Sequence, residues 1–321
     1  MSGVVTLGET MALLTPPGRL VAGSSLVVGI GGAESNVAIG LARLGAVATW
    51  ISRVGDDDLG RAVVREIRAE GVRVVADVDA DAPTGLMLKE MRGGRPHRVR
   101  YYRAGSAASR LSPAHVDAVA GEIRAARVLH LTGITAALGP GPRAAVLHAA
   151  AIARDAGVLV SVDVNHRRTL WTDDAARPAL AELVAAVDLV FAGPDEAALV
   201  LGRDPGPADA ATGASLAAGL AGLGPATAVV KLGELGAVAV GGGAPVHAPT
   251  RPIDVVDAVG AGDAFVAGYL AELVEGHPVE RCLATGNAAG GAVCGVPGDW
   301  EGLPTRAELA DASAPPAEVL R

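Results

Sequence analysis

Short, almost wholly apolar runs recur along the chain at Val4–Leu7, Thr49–Val54, Val128–Thr132, Leu159–Asp163, Leu189–Phe191 and Ala226–Leu232. Helical patterns fall between most of them, at Ser35–Leu44, Leu59–Glu70, Arg143–Ala156, Ala175–Ala186 and Ser215–Leu223. A strand that is apolar on both faces must be covered on both faces. The alternation therefore predicts an α/β fold with a mostly parallel central sheet flanked by helices. Two regions break the rhythm. Around Arg92-Gly93-Gly94-Arg95, the runs Gly85–Met91 and His97–Arg103 alternate apolar and polar residues, the pattern of a half-buried hairpin with a Gly-Gly turn. With Ala12–Ile30 it is expected to form a small antiparallel sheet, a β lid made of about residues 12–30 and 84–103. Near the C-terminus, Ala261–Glu275 and Val279–Val293 read as two helices broken at Gly276 and Pro278. After Pro297 the chain is expected to be peripheral.

The 321 residues are half hydrophobic but include only three Trp, three Tyr and two Phe, so the core must rest mainly on Ala, Val and Leu. A net charge of −8 argues against non-specific nucleic-acid binding, which needs a positive surface to release counterions. Two cysteines, Cys282 and Cys294, suggest neither a disulfide framework nor a Cys-based zinc site, and Met1–Gly8 reads as a strand rather than an export signal. A cytoplasmic location is expected. Ala210–Val230 carries no charge over 21 residues, nominally enough to span a bilayer. Gly213, Gly219, Gly222, Gly224 and Pro225 instead divide it into a short helix, a turn and a strand entry, so no membrane segment is expected.

The sharpest chemical signal is Asp257-Ala-Val-Gly-Ala-Gly-Asp263-Ala-Phe265, a glycine-rich turn feeding an apolar helix. Gly260 and Gly262 allow a sharp turn, and free N–H groups of Ala261, Gly262 and Asp263 would make an anion hole. Asp263 is placed to take a proton from a hydroxyl attacking a phosphoryl group; the residues alone also allow an ordinary N-cap aspartate. A second cluster, Gly31-Gly32-Ala33-Glu34-Ser35-Asn36, opens a helix. It lacks the third glycine of a dinucleotide fingerprint, and neither lysine, Lys89 or Lys231, stands in a Walker motif. From Met91 to Ser112 there are six arginines (Arg92, Arg95, Arg98, Arg100, Arg103, Arg110) and no acid. In an extended strand Tyr101 and Arg103 share one face and Arg100 and Tyr102 the other, so one Tyr/Arg pair can meet an anionic ligand, if the stretch is not simply a solvated edge strand. Asp163, Asn165 and Arg167 stand at the carboxyl end of a parallel strand, where open α/β sheets keep their ligand sites. Lys231-Leu-Gly233-Glu-Leu-Gly236 follows another strand and reads either as a close-approach loop or as a plain hairpin turn. His166 has no metal-ligand partner at suitable spacing, and Asp56-Asp57-Asp58 reads as helix N-terminal acids rather than a cation site.

These residues resemble the PfkB (ribokinase-like) family of carbohydrate kinases. One signature is matched by Gly31–Gly45 and another by Asp257–Phe265, and the order of sheet, lid and C-terminal helices is similar from about Val4 to Thr305. Within the family, Gly8-Glu9-Thr10-Met11, Gly32–Asn36, Tyr101–Ala107, His130–Ile134, Asp163–Arg167 with Leu170-Trp171, and Gly298–Gly302 resemble the 2-keto-3-deoxygluconate kinases.

The resemblance implies one ribokinase-like α/β domain over residues 1–321 with the β lid inserted, and ATP- and Mg²⁺-dependent phosphorylation of the C6 hydroxyl of 2-keto-3-deoxygluconate. It implies that Asp263 is the base and that the Gly260, Ala261, Gly262 and Asp263 backbone stabilises the transferred phosphoryl group. Gly32, Ala33, Glu34, Ser35, Asn36, Met87, Tyr101, Tyr102, Arg103, Ile134, Arg167 and Asp299 would line the sugar-acid pocket. Asn165, Arg167, Lys231, Gly233, Gly236 and Asn287 would serve the nucleotide side, with Glu196 reaching Mg²⁺ through water. Three positions depart from the family pattern: Ala258 replaces a threonine, Gly193-Pro-Asp-Glu196 keeps only the acid of Asn-x-x-Glu, and Met87 replaces a lid tyrosine. The alternatives are another sugar kinase of the family, such as a fructokinase, ribokinase or different keto-deoxy acid kinase, or a non-catalytic sugar-acid or nucleotide sensor. Exposed lid edges favour a homo-oligomer.

Overall fold

A computed structural model describes residues 3–92 and 95–313. Its strands, in chain order, are β1 (Val4–Leu7), β2 (Met11–Thr15), β3 (Val27–Gly31), β4 (Ala48–Gly55), β5 (Arg73–Asp79), β6 (Leu86–Arg92), β7 (Arg95–Tyr102), β8 (Val128–Thr132), β9 (Leu159–Asp163), β10 (Leu189–Ala192), β11 (Thr227–Lys231), β12 (Ala237–Val240) and β13 (Val246–Ala248). Nine of these described strands form one sheet in the order β13-β12-β11-β10-β9-β8-β1-β4-β5, and the other four a second sheet in the order β3-β2-β6-β7.

In the large sheet all pairs from β5 across to β11 are parallel, and only the pairs β11–β12 and β12–β13 are antiparallel. Alternate side chains of its strands supply two cores. Leu129, Leu131, Val160, Val162 and Val190 pack on one face beneath the helices Pro140–Asp155, Asp173–Ala185 and Ala210–Ala221. Val4, Trp50, Val128 and Phe191 pack on the other beneath Ala33–Arg43, Ala261–Val274 and Val279–Cys294. There Phe191 meets Tyr269 edge-on at 5.1 Å and Phe265 at 6.3 Å, so three of the few aromatic residues meet under the helix that carries Asp263.

The alternating runs do form a hairpin, β6 with β7, while Gly93 and Gly94 of its expected turn lie outside the described residues. The second sheet is not wholly antiparallel: β2 pairs with β6 in parallel. Each of its two hairpins, β2–β3 and β6–β7, leaves the large sheet by its first strand. Those two outgoing strands lie side by side and so must run the same way. Several elements escape the sequence pattern, among them β5, β12, β13 and the helices Pro113–Ala118, Pro194–Leu201 and Arg306–Ser313. Ala210–Val230 divides as expected into a helix, a turn and β11, its helix capped by Asp209, which accepts from the Thr212 N–H at 2.7 Å. Among the described residues no helix is long and apolar enough to cross a membrane. Asp57 caps the helix Asp58–Ala69, accepting from the Gly60 N–H at 2.6 Å.

The segment after Pro297 is not peripheral. Arg43 donates to the carbonyls of Glu301 and Leu303 at 3.2 and 2.8 Å and lies 5.2 Å over the Trp300 ring, and the Trp300 indole N–H donates to the Ile30 carbonyl at 3.1 Å. Leu303 is buried. A cation that satisfies backbone carbonyls fixes a loop whose own sequence shows no periodicity.

Candidate active site

Gly260 has φ +79° and caps the helix Ala261–Val274; a Cβ there would run into the Asp299 carbonyl oxygen, so only glycine fits. The Ala261 N–H turns back to the Ala258 carbonyl at a long 3.4 Å. The N–H groups of Gly262 and Asp263, first-turn positions without an intrahelical acceptor, remain to receive negative charge. Asp263 stands among them, 7% exposed. The Asn36 Nδ2 donates to its Oδ2 at 2.8 Å and the Asn165 Nδ2 to its Oδ1 at 3.3 Å. Asn165 is held at φ +38°, the one left-handed non-glycine among the described residues. Burial pushes the Asp263 carboxyl up to about 7, and the nearby Asp163 adds to the rise against the opposing Asn36 hydrogen bond.

Two cavities flank this turn. The first, of about 140 Å³, lies between the two sheets and opens to solvent past Tyr101 and Arg167. Of the residues expected at a sugar-acid pocket, Gly32, Ala33, Asn36, Met87, Tyr101, Arg103, Ile134, Arg167 and Asp299 line it, with Gly260 and Asp263 at one wall. Glu34, Ser35 and Tyr102 do not. Glu34 is fully buried behind the wall, where it accepts from Thr132 Oγ1 at 2.5 Å and Thr135 Oγ1 at 2.6 Å, and burial raises its pKa. The Ser35 hydroxyl donates to the Gly32 carbonyl, and Tyr102, 58% exposed, faces away.

Cations in the cavity divide sharply. Arg103 Nε donates to Glu9 Oε2 at 2.6 Å, and Lys89 is paired with Asp257 and Asp299. Arg167, which is exposed, has no carboxylate partner among the described residues.

The second cavity, of about 570 Å³, lies on the other side of the turn and is lined by Lys231, Gly233, Gly236, Ala258, Ala261, Gly262 and Asn287 together with Ile253, Val255 and Phe265. Its apolar walls suit a flat base and its Lys231 end suits phosphates. Lys231 Nζ lies 2.6 Å from Asp163 Oδ2. Burial alone would lower Lys231, but Asp163 and Glu196 hold its pKa above the usual lysine value. Asn287 donates to the Ala248 carbonyl at 2.8 Å, fixing the cavity edge.

The sequence profile of the pfkB family carbohydrate kinases matches residues 1–306. The chain belongs to the pfkB family of carbohydrate kinases. A 2-dehydro-3-deoxygalactonokinase of Haloferax volcanii is 39% identical to this pfkB kinase over 92% of either chain. A 2-dehydro-3-deoxygluconokinase of Bacillus subtilis is 37% identical over 95% of this chain and 94% of that one. The crystal structure of a 2-dehydro-3-deoxygluconokinase of Thermotoga maritima superposes with a TM-score of 0.87 at 27% identity, covering 97% of this chain and 99% of that one. The fold of this pfkB kinase is ribokinase-like.

The family implies a divalent ion beside the phosphates. Glu196 accepts from the Gly193 N–H at 2.7 Å on one oxygen and from the His166 N–H at 2.9 Å on the other, capping its helix on the Lys231 side of the site while each oxygen keeps a second lone pair for water. Asp163 Oδ1, by contrast, is buried without a hydrogen-bond partner. Hard oxygen donors beside Lys231, with no carboxylate cage, fit an Mg²⁺ ion that keeps its water and is held chiefly by phosphates. Among the described residues the one compact carboxylate cluster, Glu272, Glu275 and His277, lies elsewhere, and Arg281 and Arg306 are ion-paired to it.

Sequence reasoning assigned no role to Glu9 or Lys89 in this pfkB kinase. Glu9 is 1% exposed and accepts from both Arg103 and Ser106, and Lys89 is a buried cation of the cavity wall. Glu9 stands in the short link between β1 and β2 and Lys89 in the alternating strand β6, so no local pattern marks either as buried.

Proposed function

We propose that this pfkB-family enzyme transfers the γ-phosphoryl group of ATP to the C6 hydroxyl of 2-keto-3-deoxygluconate (2-dehydro-3-deoxygluconate) or its galacto epimer, giving the 6-phosphate and ADP. The observation that carries the reading is the first cavity itself, which holds Asp263 in one wall and, in Arg167, an arginine that makes no ion pair among the described residues, its charge felt only at longer range by Asp263 and Asp163. A neutral sugar has no use for a guanidinium that is left out of every ion pair in the cavity wall. A carboxylate does.

Asp263 takes the C6 hydroxyl proton as the new oxygen–phosphorus bond forms and the bond to the ADP oxygen breaks. The Gly262 and Asp263 N–H groups, backed by the helix dipole, hold the charge on the phosphoryl oxygens in flight. ATP occupies the second cavity, its base between Ile253, Val255 and Phe265 and its phosphates toward Lys231. Beside Asp163 and Glu196 a bound Mg²⁺ would neutralise phosphate charge. Arg167 and Tyr101 hold the acid end of the sugar, and Arg103, neutralised by Glu9, shapes the wall between them. The second sheet acts as a lid that excludes water. The reading carries with it one kinase domain in the cytoplasm that assembles as a homo-oligomer. Support for the assembly is the exposure of Val27, Val28 and Tyr102 on the edge strands β3 and β7.

The experiment is ADP release from ATP and Mg²⁺ with 2-keto-3-deoxygluconate, its galacto epimer, fructose and ribose, using wild type, Asp263→Asn and Arg167→Met. Selective turnover of the keto-deoxy acids, abolished in Asp263→Asn and with a raised KM in Arg167→Met, is expected. Turnover of fructose or ribose alone, or full activity in Asp263→Asn, refutes the assignment.

A further inference from the structure

Two of the 27 basic residues are lysines, and both reach the glycine-rich turn. Lys231 serves the phosphate side. Lys89 comes from the other sheet, on β6, with its side chain 5% exposed. Its ammonium lies 3.1 Å from Asp257 Oδ2 and 3.3 Å from Asp299 Oδ1, carboxylates whose side chains are themselves only 7% and 13% exposed. Burying one ammonium with two carboxylates is costly, and apolar side chains of similar volume would stabilise such a place at least as well. Stability is therefore a poor reason for the triad.

What the two carboxylates share is the anion-binding turn. Asp257 opens it: its Oδ1 accepts from the Val259 N–H at 3.2 Å, while its own N–H donates to the Cys294 carbonyl at 3.2 Å. Asp299 closes it from above, laying its backbone carbonyl against Gly260 where a Cβ would collide. From the second sheet, Lys89 thus grips both walls of the loop that aims the Gly262 and Asp263 N–H groups and the Asp263 carboxyl.

We infer that Lys89 is a positioning residue, which acts through Asp257 and Asp299 to hold the anion-binding turn in its working shape while β6 is seated on it. Seating of the second sheet over the sugar-acid cavity and assembly of the phosphoryl-binding turn are then one event. The inference rests on the kinase reading above. Lys89 is not the group that binds the acid: its ammonium already has two carboxylates, whereas Arg167 has none among the described residues. Without Lys89, Asp257 and Asp299 face each other as like charges and the turn moves, and a displacement of about 1 Å at the reacting atoms costs roughly 10²-fold in rate.

The test compares wild type, Lys89→Met and Lys89→Arg by steady-state kinetics and by amide hydrogen exchange. Lys89→Met is expected to lower kcat by roughly 10- to 100-fold with little change in the sugar-acid KM. Lys89→Arg recovers most of the rate, and Lys89→Met/Asp257→Asn recovers part of it, because one of the two facing charges is gone. The amides of Val259 to Asp263 exchange faster in Lys89→Met while those of β8 and β9 do not change. A raised KM at unchanged kcat makes Lys89 a substrate ligand and overturns the inference. Unchanged exchange at the turn, or equal acceleration across the molecule, overturns it as well, the latter by marking a merely structural role. If the wild-type protein phosphorylates no sugar acid, the kinase reading fails while the exchange comparison still decides what Lys89 does.

Discussion

Replacing Asn36 with alanine removes the donor that lies 2.8 Å from Asp263 Oδ2, in a place where Asp263 is only 7% exposed and water screens little. A hydrogen bond to an ionised group contributes about 1.5–3 kcal/mol, and one pKa unit corresponds to about 1.4 kcal/mol, so the Asp263 pKa should rise by roughly one unit at the low end of that range. The sign follows from what Asn36 does: it favours the ionised form, so its loss favours the protonated one. Starting from a pKa of about 7, the ionised fraction at neutral pH falls from about one half to about one eleventh. Asn36→Ala should therefore lose about fivefold in kcat/KM near pH 7, about tenfold near pH 5.5, and little that is pH-dependent near pH 9.5. Asn36 also lines the cavity, so the loss at a single pH is ambiguous and the displacement of the profile is the readout. The assay is coupled ADP release with the sugar acid across that range, using the wild-type profile as reference. A uniform loss at every pH, or a profile displaced toward lower pH, refutes Asp263 as the titrating base held by Asn36.

Asp263→Asn should stabilise the substrate-free protein while abolishing turnover. The folded pKa of about 7 lies above the 3.8 of an ordinary aspartate, so the folded state holds a proton that the unfolded state releases, and stability falls as pH rises between them. The variant escapes that loss by up to about 4 kcal/mol above pH 7 and gains little near pH 4, as urea unfolding at both pH values would show. Gly260→Ala should lose at least about 100-fold in kcat, because a side chain must displace the Asp299 carbonyl and the anion hole with it; near-normal turnover would contradict the close approach. Phe191→Ala, at a fully buried position between the sheet and the helix carrying Asp263, should destabilise by about 3–5 kcal/mol in chemical denaturation. Glu272→Ala removes a 1%-exposed carboxylate paired with Arg281 and Arg306 and should cost about 1–3 kcal/mol by the same measurement, leaving the KM for both substrates unchanged.

What was legible in the sequence was what local chemistry writes locally. Strands apolar on both faces announced the parallel sheet, and Gly260, Gly262 and Asp263 announced a phosphate-type turn, because backbone freedom and helix capping are short-range properties. The same locality explains the misplacements. Ala33 and Asn36, three apart on a helix, face the cavity together, while Glu34 and Ser35 between them are rotated away by helical geometry. Tyr101 faces the cavity and Tyr102 cannot, since neighbours on a strand point to opposite sides. The remainder depended on contacts far apart in the chain. Lys89 finds its carboxylates 168 and 210 residues away, and Arg43 fixes the loop after Pro297 from 260 residues off, so no window of sequence contains either arrangement. The parallel join of β2 to β6 is likewise a property of two hairpins meeting, and neither hairpin contains it.

The indole of Trp300 gives the molecule its own optical gauge. Trp50 is sealed in the core and Trp171 sits beside the His166 ring, at 6.5 Å, on the Lys231 side of the site. Trp300 alone links the two sheets' neighbourhoods, hydrogen-bonded to the Ile30 carbonyl at the root of the second sheet and covered by Arg43, one residue from Asp299. Any movement of β3 relative to the loop that bears Asp299 must break or stretch that hydrogen bond and change the polarity around the ring. Emission from a chain with Trp50 and Trp171 replaced by phenylalanine would then follow the seating of the second sheet in real time, with no label attached.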